Sequence, residues 1–467
     1  MTHTASATAL DFRTIDLRGH SLAPAELKQA MPRAAADAGS AEPAVQAIID
    51  EVRAGGFAAL RSLALRFDGV DREHPRVPRD VIDAATDALD DDVRTALQEA
   101  IRRARLFAEA QLPQAVDVEL APGARLTQTW VAVDRVGLYV PGGLAVYPSS
   151  VVMNVVPAQA AGVGSIALAS PPQQEHGGWP HPVILAAASM LGVTEVYAMG
   201  GAQAVAALAH GIEDEPGAGG RIDPVDVITG PGNVFVATAK RLVRGRVGID
   251  SEAGTTEIAI LADASADADL VAADLVSQAE HDPQAASVLV TDSVELAAAV
   301  RAALHSRVAR TRHAERVRTA LSGPQSGVLL VDDLEAGIAV CDAYAAEHLE
   351  IHTLDAGLVA RRIRNAGAIF IGAYSPVSLG DYCAGSNHVL PTGGTAAFAS
   401  GLNVTTFLRA VQLIDYDRAA LQEVSSSIIT LAEAENLPAH GEAVSARFRA
   451  GDDEALPETG TGAERPR

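Results

Sequence analysis

A two-unit α/β protein with mainly helical segments at both ends is the fold class this sequence predicts, and three observations predict it. From about residue 136, short apolar runs alternate with stretches of helical period. A second series of the same kind begins at about residue 257. Before the first series and after residue 401, helical spacing dominates. Continuous apolar strands set between helices argue for parallel sheets covered on both faces.

Residues 1–21 are polar with scattered apolar positions, and they are expected to form an arm outside any core. Four helical segments follow. The first two, 44–54 and 57–67, are broken by Gly55-Gly56, and the third opens at Pro78, whose fixed φ suits a helix start. The fourth, 91–111, carries Val93, Leu97, Ile101, Leu106 and Phe107. From Val116 the period falls to two, through Val118, Leu120, Leu126, Trp130 and Val133, which predicts strands. The first alternating series has strands at 136–140, 165–169, 195–199 and 225–229, with helices at 182–191, 202–210 and 234–243. The second has strands at 257–261, 287–290, 328–331 and 368–371, each separated by a helix. Beyond residue 401 helices are expected at 417–435 and 442–449, and the Gly-, Glu-, Pro- and Thr-rich end is expected to be a disordered tail. The implied division is an arm (1–21), a first α/β domain (22–135 with 255–400), a second (136–254), an extension (401–450) and a tail (451–467). Each α/β domain is Rossmann-like in pattern.

A chain of 467 residues exceeds what one core usually organises. Hydrophobic residues make up 48% but aromatics only 4%, so Ala, Val and Leu must fill the interior. The net charge of −23 weighs against a nucleic-acid or anionic-membrane surface and favours a small polar metabolite as partner. Cys341 and Cys383 are the only cysteines, which excludes a disulfide framework and a four-cysteine zinc site; buried thiols of a cytoplasmic protein are expected. No basic stretch leads into an apolar core at the start, so no secretory signal is expected. Residues 136–174 hold no charge, but Pro141, Pro148 and Pro157 would leave backbone groups that lipid cannot satisfy, so buried strand, loop and helix are expected.

The densest chemistry lies in Ser277-Gln278-Ala279-Glu280-His281-Asp282-Pro283, at the end of a helix that Pro283 stops. Gln278 and His281, three apart, are expected over one patch of helix surface as half of a metal site. Glu347-His348, Asp381 with His388, and Glu435 with His440 could supply the rest. Imidazole, carboxylate and amide donors suit zinc, with manganese or cobalt as substitutes. Glu347-His348 reads as a helix end, where one residue could move a substrate proton and the other a proton of water; the competing reading is a histidine favoured by the helix dipole. Gly162-Val163-Gly164-Ser165-Ile166-Ala167 matches a dinucleotide fingerprint in letters, but it precedes a strand and is rejected. Better nucleotide candidates are turns at strand ends: Tyr139 with Pro141-Gly142-Gly143, Gly200-Gly201-Ala202-Gln203, and Thr229-Gly230-Pro231-Gly232-Asn233. The last two open helices, whose free N–H groups favour a pyrophosphate.

With these residues laid out, the chain resembles the histidinol dehydrogenase family along nearly its whole length. The likeness rests on VGLYVPGG from Val136, GGAQA from Gly200, TGPGN from Thr229, AGTTE from Ala253, SQAEHDP from Ser277, AEHLE from Ala346 and GDYCAGSNHVLPT from Gly380. The resemblance implies two incomplete Rossmann-like domains with extensions that intertwine a homodimer. It implies oxidation of L-histidinol to L-histidine through an aldehyde, with two NAD and one zinc ion per subunit. On the same footing Gln278, His281, Asp381 and His440 become the zinc ligands, with His440 and Glu435 reaching the site from the partner subunit. Glu347 and His348 become the acid–base residues, and Tyr139, Gln203 and Asn233 the NAD contacts. Thr256 stands where many relatives carry serine and keeps a hydroxyl for a substrate contact. Gln278, His281, His348, Asp381, Glu435 and His440 would also face the substrate. Competing readings are a zinc hydrolase, a non-catalytic metal-binding protein, and a dehydrogenase of another amino alcohol or a sulfonate.

Overall fold

The structure, a computed structural model, describes residues 10–20, 22–34, 38–142, 146–213, 220–252 and 254–448. The expected tail, the first nine residues of the arm and Gly143 lie outside the described residues. Two compact units are present, one of residues 1–112 with 132–408 and one of 113–131 with 409–467. The strands in chain order are β1 (Thr14–Asp16), β2 (Val116–Ala121), β3 (Ala124–Ala132), β4 (Arg135–Tyr139), β5 (Ser165–Ser170), β6 (Val196–Ala198), β7 (Val227–Thr229), β8 (Gly248–Ile249), β9 (Glu257–Ala262), β10 (Ala286–Thr291), β11 (Gly327–Leu330), β12 (His348–His352), β13 (Ala368–Ile371) and β14 (Leu408–Tyr416).

The first unit is mixed α/β with two parallel sheets. One has the order β6-β5-β4-β7-β8. Successive residues of its strands enter opposite layers, as the two-residue pleat requires. Val136 and Leu138 pack with Val151, Val155 and Ile184 from the helices Pro148–Ala161 and Pro182–Met190. Tyr139, Ala167 and Ile228 pack on the other face with Val205, Leu208 and Val236 from the helices Gly201–His210 and Val234–Val243. Gly137 permits this approach, since a Cβ there would stand 3.0 Å from Leu208 Cδ1. Truncating a buried leucine such as Leu208 to alanine costs about 2–5 kcal/mol in such a core.

The other sheet has the order β1-β11-β10-β9-β12-β13. In both, the first strand of the series sits centrally, the next two add on one side and the last two on the other. Ile258, Ile260 and Leu289 pack under Val271 and Leu275 of the helix Ala268–Ala279. Ala259, Leu261 and Ile351 face the opposite layer with Ile338 and Tyr344 of the helix Leu334–Tyr344. The arm reading of residues 1–21 fails at β1, which pairs in parallel with β11, while Phe12 and Leu17 are buried on either side of it. A three-residue edge strand offers too short a period to be seen in sequence.

The break expected at Gly55-Gly56 is present within the helix Ala38–Asp68, where Gly56 adopts φ 53° and ψ −131°. Gly162 ends the helix Pro148–Ala161 in the left-handed region and leads into β5, which agrees with rejecting the fingerprint there. The second unit contains the three-stranded sheet β14-β3-β2, with β2 and β3 antiparallel, and the helices Arg418–Ala434 and Pro438–Ser445. β14 corrects the expectation that the chain past residue 401 is mainly helical; its side chains are mostly exposed and carry no clean alternation.

Candidate active site

The amino ends of β9 and β12 lie side by side, with His348 in register with Ile258. Sequence reading placed Glu347-His348 at a helix end. Instead, that helix stops at Tyr344, Ala345 turns the chain with φ 48°, and His348 opens β12. Both side chains are held by the backbone of one residue, Glu257. Glu347 Oε2 accepts the Glu257 N–H at 2.9 Å and the Thr256 hydroxyl at 2.5 Å, while His348 Nδ1 lies 3.2 Å from the Glu257 carbonyl. A carbonyl only accepts, so Nδ1 carries the proton and Nε2 keeps its lone pair. Burial pushes Glu347 up to about 7, against the Thr256 and Glu257 hydrogen bonds and nearby His281. Burial also lowers His348, which keeps the imidazole neutral.

Gln278, buried on the last turn of the helix Ala268–Ala279, donates from Nε2 to Thr256 Oγ1 at 2.6 Å. Thr256 therefore links the amide to the Glu347 carboxylate, accepting from one and donating to the other. This leaves Gln278 Oε1 buried without a hydrogen-bond partner. Such an orphaned oxygen is costly unless something coordinates it, so the donor set fits a cation. His281 is not on the helix as its spacing suggested. It follows the C-cap Glu280, with its own N–H on the Gln278 carbonyl at 3.3 Å. Asp381 sits in the short helix Val377–Tyr382, close enough to Glu347, His348 and His388 to act on their charge. Gly380 lets that helix lie on Phe370, since a Cβ would meet the ring at 2.6 Å.

His388, given no role from sequence beyond proximity, is half-buried within this group. Its Nδ1 lies 3.0 Å from the Asp381 carbonyl and its Nε2 3.1 Å from Ser150 Oγ. Sequence reasoning also missed Glu350 and His352. The alternation His348-Leu349-Glu350-Ile351-His352 was the available signal, because it gives β12 one wholly polar face. Glu435 and His440 belong to the second unit; Glu435 is the C-cap of the helix Arg418–Ala434, and His440 stands exposed on the helix Pro438–Ser445.

The three nucleotide candidates all follow carboxyl ends of the five-stranded sheet, after β4, β6 and β7. The Gly201 N–H donates to Tyr139 Oη at 3.1 Å, and burial pushes that phenol up to about 12. Gly230 adopts φ 119° against the Tyr139 carbonyl, where any Cβ would collide. Its own peptide is gripped on both sides: the N–H by Asp250 Oδ2 at 2.8 Å and the carbonyl by Lys240 Nζ at 2.9 Å, the two charges forming a buried ion pair. The free helix N–H groups expected after Asn233 are already taken, because Asn233 Oδ1 accepts those of Phe235 and Val236 at 3.0 and 3.3 Å. The helix Gly201–His210 has no side-chain cap, and a small cleft lined by Leu60, Arg61, Pro172, Met199, Gly200 and Gln203 opens at its start.

A neutral imidazole and a carboxyl poised near neutrality, beside an amide oxygen able to take a cation, define an α/β enzyme that moves protons at a polar, water-poor site. The comparisons specify which. The histidinol dehydrogenase family profile matches residues 31–448. Histidinol dehydrogenase of Nocardia farcinica is 59% identical over 441 residues, 94% of this chain and 99% of that protein. That of Mycolicibacterium smegmatis is 59% identical over 434 residues, 93% and 97% of the two chains. The crystal structure of histidinol dehydrogenase from Elizabethkingia anophelis superposes with a TM-score of 0.86 at 30% identity, covering 94% of this chain and 98% of that one. The chain belongs to the histidinol dehydrogenase family and is an oxidoreductase. The hydrolase and non-catalytic readings are not favoured.

Proposed function

We infer that the chain oxidises L-histidinol to L-histidine by four electrons, through L-histidinal, with two NAD. The observation that carries this reading is the Gln278–Thr256–Glu347 chain, which leaves a bare amide oxygen beside a neutral His348. Zinc would be held by Gln278, His281, Asp381 and His440 of the partner subunit, with Glu435 of the partner subunit facing the substrate. Leaving aside the edge strand β1, the strand order of both sheets is that of a dinucleotide fold lacking its sixth strand, which supports two incomplete Rossmann-like domains. The 136–254 domain would hold NAD through Tyr139, Gln203 and Asn233. Exposed Val116, Val118, Leu120, Leu413 and Ile414 in the second unit support its role in an intertwined homodimer. Among the described residues no helix is long and apolar enough to cross a membrane, and we place the enzyme in the cytoplasm.

Zinc when bound supplies a Lewis-acid anchor for the substrate amine and imidazole nitrogens, and NAD supplies the hydride acceptor. The chain's own residues handle the protons. With Nδ1–H on the Glu257 carbonyl, His348 offers Nε2 to the carbinol hydroxyl and takes its proton as the carbon loses hydride. The aldehyde must then gain water before a second hydride can leave. Glu347 takes a proton from that water as its oxygen bonds to the carbonyl carbon, and His348 serves the second oxidation as it served the first. Thr256 and the Glu257 N–H hold one Glu347 oxygen and leave the other for water.

The test is NADH formation from L-histidinol with the protein as purified, after chelation, and after zinc add-back. Two NADH per alcohol, lost on chelation and restored by zinc, is the expected result. NADH formation that ignores the chelator would remove the metal from the reading, and no NADH at all would remove the substrate.

A further inference from the structure

Below the proposed metal site, Asp274, Glu350 and His352 meet between the helix Ala268–Ala279 and β12, with one ligand atom from each within 4.8 Å of the others. Glu350 is fully buried, and its two oxygens face different elements. Oε1 accepts the N–H of Val377, first residue of the helix Val377–Tyr382, at 2.9 Å. Oε2 lies 3.3 Å from His352 Nε2, with no aligned hydrogen bond, and faces the Asp274 carboxyl.

The register of these partners is what gives the cluster meaning. Asp274 precedes Gln278 by four residues on one helix, and Val377 precedes Asp381 by four on another, one turn in each case. Glu350 follows His348 by two on the same face of β12. The two helices also pack on each other. One carboxylate thus touches the turn below each of two proposed metal ligands and shares a strand with the proposed base.

We propose that Glu350 is a positioning residue, gripping the start of the helix Val377–Tyr382 with one oxygen and meeting Asp274 with the other, so that Asp381 and Gln278 are set against His348. The proposal rests on the metal reading above. Asp274 is half-buried with a Glu350 oxygen within 4.8 Å, and burial together with the Glu350 carboxyl pushes it up to about 7. His352 and Arg307 are the basic side chains facing Asp274, and both act to lower it.

The experiment is retention of zinc by the full enzyme in competition with a chromogenic chelator, read together with kcat, KM and Tm. Wild-type enzyme is measured first; if it binds no zinc, the metal reading itself is refuted before any variant is made. Glu350→Ala is expected to weaken zinc retention about 10- to 100-fold, as loss of a group that orients ligands does. Glu350→Gln restores retention to within a few-fold, since its amide oxygen can accept the Val377 N–H and its nitrogen can donate to Asp274. Val377→Pro removes the N–H at a helix position that tolerates proline, exchanging a buried valine side chain for the ring, and is expected to loosen zinc as well. It keeps the proposal testable should Glu350→Ala fail to fold. Variants that lose Tm but hold zinc as wild type does would overturn the proposal in favour of plain packing. A second equivalent of metal in the wild type, lost in Glu350→Gln, would overturn it in favour of an ion site.

Discussion

The two parallel sheets of the first unit share the order of the five strands in each series, β1 being added at the edge of one, yet they present their candidate working residues at opposite ends. In the five-stranded sheet, Tyr139, Gly200-Gly201 and Thr229-Gly230 follow strands, beside the point where β4 and β7 part and the chain reverses its direction of addition. That is where an open α/β sheet ordinarily leaves a crevice. In the six-stranded sheet the equivalent carboxyl-end gap, between β9 and β12, is closed by Asp263. Its carboxylate accepts the N–H groups of Ser265 at 2.9 Å and of Leu354 at 2.9 Å, tying the two departing loops together. The polar groups gather instead at the amino ends, where Thr256, Glu257, Gln278, Glu347 and His348 meet. Strand order alone therefore does not say which end works; the side chains that close or open a gap do.

The largest effects should come from the amino-end group. His348→Ala removes the acceptor of the carbinol proton and should slow both hydride steps by about 10²- to 10⁴-fold. Glu347→Gln keeps the shape of the side chain but loses the base for water, so it should mainly block the aldehyde-to-acid step. Stopped-flow NADH traces resolve the two oxidations. Equal loss of both in Glu347→Gln would mean that the two residues do not divide the protons as proposed.

At the carboxyl end of the other sheet a close approach of backbone to backbone sets the geometry, and a methyl group should be enough to break it. Gly230→Ala puts a Cβ against the Tyr139 carbonyl in a conformation with φ 119°. Strain of this kind costs on the order of 1–3 kcal/mol. The expected result is a lower Tm and a KM for NAD raised about tenfold or more, within that energy, with kcat far less affected than in His348→Ala. An unchanged KM for NAD would move the dinucleotide away from this turn.

The same contrast explains what the sequence made legible. Alternating strand and helix periods disclosed most of both parallel sheets, because most of their strands are apolar on both faces; β12, with one polar face, is the exception. The seven motifs pointed to Gln278, His281, Glu347, His348 and Asp381 as candidates, because each lies in a short ordered segment. What stayed hidden is of two kinds. β1 and β14 are strands whose pairing comes from distant residues, the first too short and the second too irregular for a period to show. The other kind is backbone-mediated: nothing in the letters says that the Glu257 backbone fixes both Glu347 and His348, or that Asn233 satisfies the helix end once expected to await a phosphate. Thr256 lies between these cases, since the hydroxyl was noticed and its two partners were not.

The smallest expected effect is also the most selective, because it separates Glu347 from His348 without altering either. In the proposed mechanism both act as bases, so acidification should remove activity from each by protonation. Burial raises Glu347 to about 7 and lowers His348 below its ordinary 6.5. On lowering the pH, the step that needs the carboxylate should therefore fail first. At pH 6 a group titrating near 7 is about one-tenth ionised, so oxidation of L-histidinal should fall about tenfold while the alcohol step, dependent on His348 alone, falls less. The measurement is kcat/KM against pH for each half-reaction, started from L-histidinol and from L-histidinal. Acid limbs that coincide would indicate that one group governs both steps and that the carboxyl held by Thr256 and Glu257 is a structural partner of the imidazole, not a second base.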